Sequence, residues 1–336
     1  MIQRPTSALL NQSAGAGHRS TRDAAALDFD IPPTFCPATL HYNAAMHNKV
    51  CVITGANNGF GFVSAQRLAA MGAKVLMVCR SRERGEDARR KIAAAAGQSP
   101  ELYIGDFLLQ SDVRRVAAEI AAAHPTVDVL VNNAGFAFSE RAVTTEGFER
   151  TFALNYLAYF TVTRDLLGLL RQSGAGRIVN VASSSHRWRE FTFDNLQGEK
   201  EFPVRRFPPL SAMYGWSNIY RIMLTYEQAE RYQADGLTAN CMCPGFVPVV
   251  RAGATAFQNL MIRVIPRFMP NARTPEQAAE TVVYLASSPE AAKLNGVYFQ
   301  SGVQMRSSDQ TYDAALRRRL WAVTETLVEQ VEAHRS

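Results

Sequence analysis

Residues 50–61 read Val-Cys-Val-Ile-Thr-Gly-Ala-Asn-Asn-Gly-Phe-Gly. Val50–Ile53 is a short apolar run, the composition of a strand buried on both faces. Thr54 and Gly55 end it, and Phe62–Met71 continues with helical spacing. In a strand–turn–helix unit of this kind the glycines have separate tasks. Gly55 lets the chain turn sharply, Gly59 has no side chain to keep a pyrophosphate from the backbone, and Gly61 lets the helix pack against the sheet. The free amides of the helix N-terminus and the helix dipole then favour a phosphate. The spacing is G-x-x-x-G-x-G, not the commoner G-x-G-x-x-G. A purely structural tight turn is the plain alternative, and the flanking strand and helix argue against it.

The chain has 336 residues and a net charge of +6. That length suits one large α/β domain with extensions. The charge is carried mostly by arginine, with no dense basic block, so it reads as solubility plus a site for an anionic cofactor rather than a nucleic-acid surface. Cys36, Cys51, Cys79, Cys241 and Cys243 are odd in number and form no C-x-x-C pair. This indicates neither a disulfide framework nor a zinc site, and it favours a reducing compartment. No metal is expected. No apolar run reaches the roughly 18 residues of a membrane-spanning helix.

Residues 1–47 read as an N-terminal extension ahead of a single domain over 48–336. Residues 1–22 hold Arg4, Arg19 and Arg22 and no acidic residue, so an organelle transit segment is one reading and a loosely docked or disordered arm the other. The expected location is cytoplasmic, or mitochondrial if the segment is a transit peptide. Further strands are expected at Lys74–Cys79, Leu102–Ile104, Val127–Val131, Arg177–Val181, Thr238–Met242 and Gly296–Phe299. With the first they make seven. Helices are expected from Ser81 to about Ala96, over Ser111–Ala123, Phe148–Leu170 and Tyr214 to about Asp235, after the Thr274 cap, and over Asp313–His334. This alternation predicts an α/β fold of the Rossmann type, a doubly wound and mainly parallel seven-stranded sheet. Cys79 and Arg80 end the second strand where an acidic residue would bind the ribose of NAD, so a 2′-phosphate and NADP are favoured, with an ordinary surface arginine as the alternative. Asp106 follows the third strand and could hold the adenine amino group. The polar run Ser183-Ser184-Ser185-His186 stands at the carboxyl end of the fifth strand, where ligands bind in open parallel sheets. The interrupted apolar stretch at 246–273 reads as a lid or as a packed surface helix.

The pieces Thr54-Gly55 with Gly59 and Gly61, Cys79-Arg80, Asp106, Asn132-Asn133-Ala134-Gly135, Asn155, Asn180 to Ser183, His186, Leu196 to Lys200, Tyr214 and Pro244-Gly245 occur in one order. Over about 48–300 the chain resembles the short-chain dehydrogenase/reductase family, nearest its retinol-dehydrogenase-like and protochlorophyllide-reductase-like members. The resemblance implies Tyr214 as the acid/base, Ser183 as the hydrogen-bonding serine, Asn155 as the asparagine of a proton relay, and Asn218 at the fourth catalytic position. It implies a cofactor-binding set of Thr54, Gly55, Asn57, Asn58, Gly59, Phe60, Gly61, Arg80, Asp106, Phe107, Asn133, Ala134, Gly135, Asn218, Pro244, Gly245 and Val247. The family places a lysine at position 218, where its charge favours the tyrosine phenolate, and commonly a threonine near Val249. This chain departs at both. Asn218 can still bond a ribose hydroxyl but brings no charge. Three readings follow: an NADP-dependent oxidoreductase acting on a carbonyl, alcohol or activated double bond of an apolar small molecule; a cofactor-binding protein with little turnover; and a different reaction, isomerisation or elimination, on the same fold. Family members commonly pair through the helices carrying Asn155 and Tyr214, so a homo-oligomer is expected.

Overall fold

The computed structural model describes residues 46–204, 211–248 and 272–333. Residues 1–45 of the expected extension and most of the expected lid, 249–271, lie outside them. The elements in order are β1 (Val50–Thr54), α1 (Gly59–Ala70), β2 (Lys74–Cys79), α2 (Arg82–Ala96), β3 (Glu101–Ile104), α3 (Gln110–Ala123), β4 (Val129–Asn132), α4 (Arg150–Phe152), a π-helical turn (Ala153–Leu157), α5 (Ala158–Gln172), β5 (Arg177–Val181), α6 (Ala212–Tyr232), β6 (Thr238–Cys243), α7 (Pro275–Ser287), β7 (Tyr298–Gln300), β8 (Val303–Gln304) and α8 (Ala314–Ala333).

One sheet carries the fold, in the order β3-β2-β1-β4-β5-β6-β7-β8. All neighbours through β7 are parallel, and β8 is antiparallel. Each strand of the middle is buried on both faces. In β1, Val50 and Val52 face the layer of α3, α5, α6 and α8, and Cys51 and Ile53 face that of α1, α2 and α7. This is why its run is continuously apolar rather than alternating. The chain reverses its winding between β1 and β4, so the crevice above their carboxyl ends is the switch point of the fold.

The sheet has one strand more than expected. Ser301 and Gly302 both take positive φ, 53° and 87°, the geometry of a two-residue hairpin turn. It folds β8 back on β7. β7 begins at Tyr298 and not at Gly296, because Val297 N donates to the Asn240 side chain (3.2 Å) and not to a strand. β4 begins at Val129: Asp128 is occupied as a cap, accepting from Val50 N (2.8 Å) and pairing with Lys49 (2.8 Å). The helix expected over Phe148–Leu170 is divided by the π turn, whose extra residue places Asn155 toward the loop after β4. The caps at Ser81 and Thr274 form as expected, the latter as a full capping box with Pro275 in the first turn.

Cys51, Cys79, Cys241 and Cys243 are buried and unpaired. Burial pushes the Cys79 and Cys241 thiols up to about 12, so they behave as small core side chains. Among the described residues no cluster of His, Cys, Asp and Glu is placed to hold a metal, and no helix is long and apolar enough to cross a membrane.

The C-terminal helix is clamped. Leu320, Trp321 and Val328 are buried, the Trp321 ring meets Phe160 edge-on at 4.9 Å, and Thr324 bonds the Tyr156 hydroxyl at 2.7 Å. Arg317, buried, pairs with buried Glu227 (3.3 Å) and with Glu230, and donates to the Tyr312 carbonyl (3.2 Å). A buried carboxylate that loses its partner is destabilised far more than an exposed one. Arg231 also pairs with Glu227, which limits the loss. Arg317→Ala is expected to lower the urea-unfolding free energy by about 2 kcal/mol. Lys200→Ala, which breaks the exposed Lys200–Asp194 pair, should change it by less than about 0.5 kcal/mol. Equal effects of the two would refute the clamp.

Candidate active site

The glycine turn is built as a cradle. Gly55 (φ 69°) and Gly59 (φ 58°) sit in the left-handed region that disfavours other residues. A Cβ on Gly55 would lie 3.0 Å from the Ala134 backbone, and one on Gly61 would meet the Asn133 side chain and lie 2.9 Å from the Gly55 carbonyl. Gly61 therefore packs α1 against the Asn133-Ala134-Gly135 turn, rather than only against the sheet. Asn58 caps α1 by accepting from Gly59 N (2.8 Å), and the first turn holds no acidic residue. Nothing there repels an anion.

That turn is joined to the end of β4 through Thr54. Its buried hydroxyl accepts from Asn133 N and Ala134 N, each at 2.9 Å, and bonds the Val131 carbonyl at 3.4 Å. Asn133 Nδ2 returns bonds to Thr54 O (2.8 Å) and Gly55 O (3.2 Å). On the other half of the crevice Arg80 is exposed at the end of β2 beside buried Cys79. Asp106 lies in the neighbouring turn after β3. There Oδ1 accepts from Leu108 N (3.2 Å), while buried Phe107 anchors the turn in the core. Pro244, Gly245 (φ 83°) and Val247 follow β6 on the same edge.

The reactive side lies over β4 and β5. Ser183 lies two residues past the end of β5, and its hydroxyl accepts from Ser185 N at 3.3 Å, which leaves its own hydrogen free to donate. Tyr214 is half-buried in the first turn of α6. It is held close because a Cβ on Gly215 would lie 3.1 Å from the Ser185 carbonyl, so α6 presses directly on the turn after β5. The Trp188 ring stands 6.3 Å from the Tyr214 ring. A cavity of roughly 410 Å³ opens beside them, lined by Trp188, Arg189, Pro203, Val204, Ala212 and Gly215.

Asn155 and Asn218 are fully buried and internally bonded. Asn155 Oδ1 accepts from Phe136 N (2.9 Å), and Nδ2 donates to Phe136 O (3.0 Å) and Ser217 Oγ (3.2 Å). It ties the loop after β4 to α6. Asn218 Nδ2 donates to Ser185 Oγ (3.0 Å) and Tyr214 O (2.6 Å), so both its hydrogens are occupied. Its Oδ1 accepts from Arg221 Nη1 (3.2 Å). With both hydrogens occupied, any bond from Asn218 to a ribose hydroxyl would be one that its Oδ1 accepts.

Sequence reasoning passed over the polar ladder beneath the site. Asn132 bonds Thr163 (3.1 Å) and Asn180 (2.9 Å), and Asn180 bonds Thr225 (2.9 Å) and Gln228 (2.8 Å), all buried. The signal was present: an asparagine inside a strand buried on both faces requires partners. His186 is also buried. Its Nδ1 donates to Ser183 O (2.9 Å) and its ring meets Tyr298 edge-on at 5.1 Å. Burial, helped by the Arg187 charge, pushes it down to about 4. The unfolded histidine binds a proton near pH 6.5. Between those values the unfolded state holds more protons, so the stability contributed by the neutral ring is complete above pH 6.5 and is lost as pH falls toward 4. At pH 5 the expected loss is about 2 kcal/mol. Urea titrations at pH 7 and pH 5 check this: His186→Asn should remove most of the difference, and an unchanged difference would rule His186 out as its source.

Residues 49–193 match the family described as short chain dehydrogenase. Retinol dehydrogenase 14 of Homo sapiens is 34% identical over 301 residues, covering 84% of this chain and 87% of that protein. Among solved structures, an uncharacterized protein from Mycobacterium paratuberculosis is 26% identical with a TM-score of 0.66, covering 85% of this chain and 95% of that one. The Pseudomonas aeruginosa RhlG/NADP active-site complex is 20% identical with a TM-score of 0.62, covering 78% and 97%, a likeness of fold. With the glycine cradle, the Thr54 junction, and Ser183 and Tyr214 on one sheet edge, a relative so similar over so much of both chains makes this protein a member of the short-chain dehydrogenase family.

Proposed function

We propose that this chain is an NADP-dependent oxidoreductase that reduces a carbonyl, or oxidises an alcohol, on an apolar small molecule. The observation that supports the reading is the close packing of α6 on the turn after β5, which brings the helix that carries Tyr214 against the turn that carries Ser183. The residues present fit a dinucleotide: Gly55, Gly59 and Gly61 leave room for a pyrophosphate at the N-terminus of α1, and Arg80 offers a cation to a 2′-phosphate. When bound, the cofactor supplies or accepts the hydride. The NADP carried by the Pseudomonas relative agrees with this choice of cofactor.

Ser183 donates its free hydrogen to the substrate oxygen and orients it. The Tyr214 phenol gives that oxygen its proton in reduction and takes one back in oxidation. Trp188 and the cavity beside it exclude water from the reacting oxygen. Of the seven large apolar side chains that are exposed among the described residues, Phe136, Val143, Trp188, Val204 and Phe246 lie on segments that follow the carboxyl ends of β4, β5 and β6, while Val303 and Met305 lie on and just after the antiparallel β8. An apolar rim concentrated on the ligand-binding edge supports an apolar substrate.

One observation favours a second reading, dinucleotide binding with little turnover: no lysine stands beside Tyr214, and Asn218 is bonded internally.

NADPH should bind at least about tenfold more tightly than NADH, about 1.4 kcal/mol, as measured by the change in its fluorescence. Arg80→Ala should erase most of that margin, and equal affinities in the unmodified protein would overturn the choice of NADP. With a panel of apolar ketones and aldehydes, Tyr214→Phe should keep NADPH binding and abolish reduction. Binding without turnover in the unmodified protein selects the second reading, and turnover surviving in Tyr214→Phe refutes the acid assigned here.

A further inference from the structure

Arg221 is a buried cation with no counter-charge. The residue is only 3% exposed. Nε donates to the Asn155 backbone carbonyl, Nη1 to Asn218 Oδ1 at 3.2 Å, and Cζ lies 4.5 Å from the centroid of the Tyr159 ring. Nη2 has no hydrogen-bond partner, and no carboxylate stands within ion-pairing distance among the described residues. Carbonyl oxygens and a ring face orient a guanidinium but do not cancel its charge.

Its place gives that charge a direction. A Cβ built on Gly135 would lie 2.6 Å from Nη2, so the guanidinium is packed directly behind this glycine. Gly135 itself is exposed, at the carboxyl end of β4. A single residue without a side chain therefore separates the charge from the crevice. The sheet order puts Arg80, after β2, on one side of the switch point. Gly135, Ser183 and Tyr214, after β4 and β5, lie on the other. A dinucleotide with its 2′-phosphate at Arg80 would cross the switch point toward the side that holds Gly135. The phosphates are the same in both redox forms. The nicotinamide ring carries a positive charge when oxidised and is neutral when reduced.

We propose that Arg221 is a selector of cofactor oxidation state, its buried charge disfavouring bound NADP⁺ against bound NADPH. The inference rests on the oxidoreductase reading above. The titratable neighbours leave the charge standing: burial pushes the Cys241 thiol up to about 12 and raises the Tyr159 phenol as well, so both stay neutral. Asn218 acts as the positioning residue that holds Nη1. A like charge brought near a buried cation is repelled, so removing the cation tightens binding of the form that carries that charge. Solvent in the open crevice reduces this, so about fivefold is expected.

The test measures the dissociation constants of NADPH and NADP⁺ separately, without substrate, for the unmodified protein, Arg221→Met, Arg221→Gln and Arg221→Lys. Loss of an unpaired buried charge is often neutral or stabilising, and the two uncharged variants guard against the misfolding of either. Both should lower the ratio of the NADP⁺ to the NADPH dissociation constant about fivefold, mainly by tightening NADP⁺. Arg221→Lys should keep the ratio within twofold. A ratio unchanged in Met and Gln, including the case in which both forms weaken alike, overturns the proposal and leaves Arg221 a structural residue. If the unmodified protein binds neither form, the oxidoreductase reading fails first and this inference falls with it.

Discussion

The site depends on one hydroxyl. Thr54 stands where β1 ends and the chain turns into α1, and its Oγ1 accepts from two successive amides of the turn after β4. β1 and β4 are neighbours in the sheet but 79 residues apart in the Thr54–Asn133 bond, and the chain diverges from their carboxyl ends in opposite directions. A crevice there leaves backbone amides without ladder partners, and buried amides cannot remain unpaired. Thr54 satisfies two of them, and Asn133 closes the arrangement by donating back to Thr54 and Gly55. The glycine cradle and the Gly135 edge are thereby held in one frame, and everything placed on either inherits that registration.

From this frame the polar interior extends downward. The asparagines of β4 and β5 link to each other and to threonines of α5 and α6, and Thr225 passes the connection to the Arg221 carbonyl at 2.8 Å. The network is satisfied except at Asn132 Oδ1, which is buried without a hydrogen-bond partner. It fixes the rotation of α6 about its axis, and so decides which residues of that helix face the crevice.

The sequence discloses what is local. The β1–turn–α1 unit, the Ser81 and Thr274 caps and the serine run after β5 each lie within about twenty consecutive residues, where spacing and residue type suffice. What it conceals is carried by long-range bonds. The N-terminus of α3 has no cap of its own, and the Glu146 carboxylate supplies one to Ser111 N (3.1 Å) from 35 residues away. Asp128 leaves β4 to cap β1. Asn155 looks like a free polar group in a helix, yet its amide is bonded to Phe136 and Ser217. Arg221, seven residues after Tyr214, can be seen in the sequence to share its helical face. That its guanidinium stands behind Gly135, without a carboxylate, is a fact of packing. The two-residue strand β8 is too short to leave a periodic pattern.

The π turn at Ala153–Leu157 has a consequence for how this helix can change over evolutionary time. A π turn holds one residue more than the α-helical turn it replaces. Deleting any one residue there would restore a regular helix, with more nearly ideal backbone hydrogen bonds. It would also rotate the segment ahead of the deletion by about 100° relative to α5. The side chain at 155 would swing off the loop after β4, and its carbonyl would return to the helix and release the Arg221 guanidinium. The irregular turn is thus a single-residue insertion whose removal would improve the helix and disconnect the site. Length variation is therefore tolerated far less at these five positions than in the surface loops on either side.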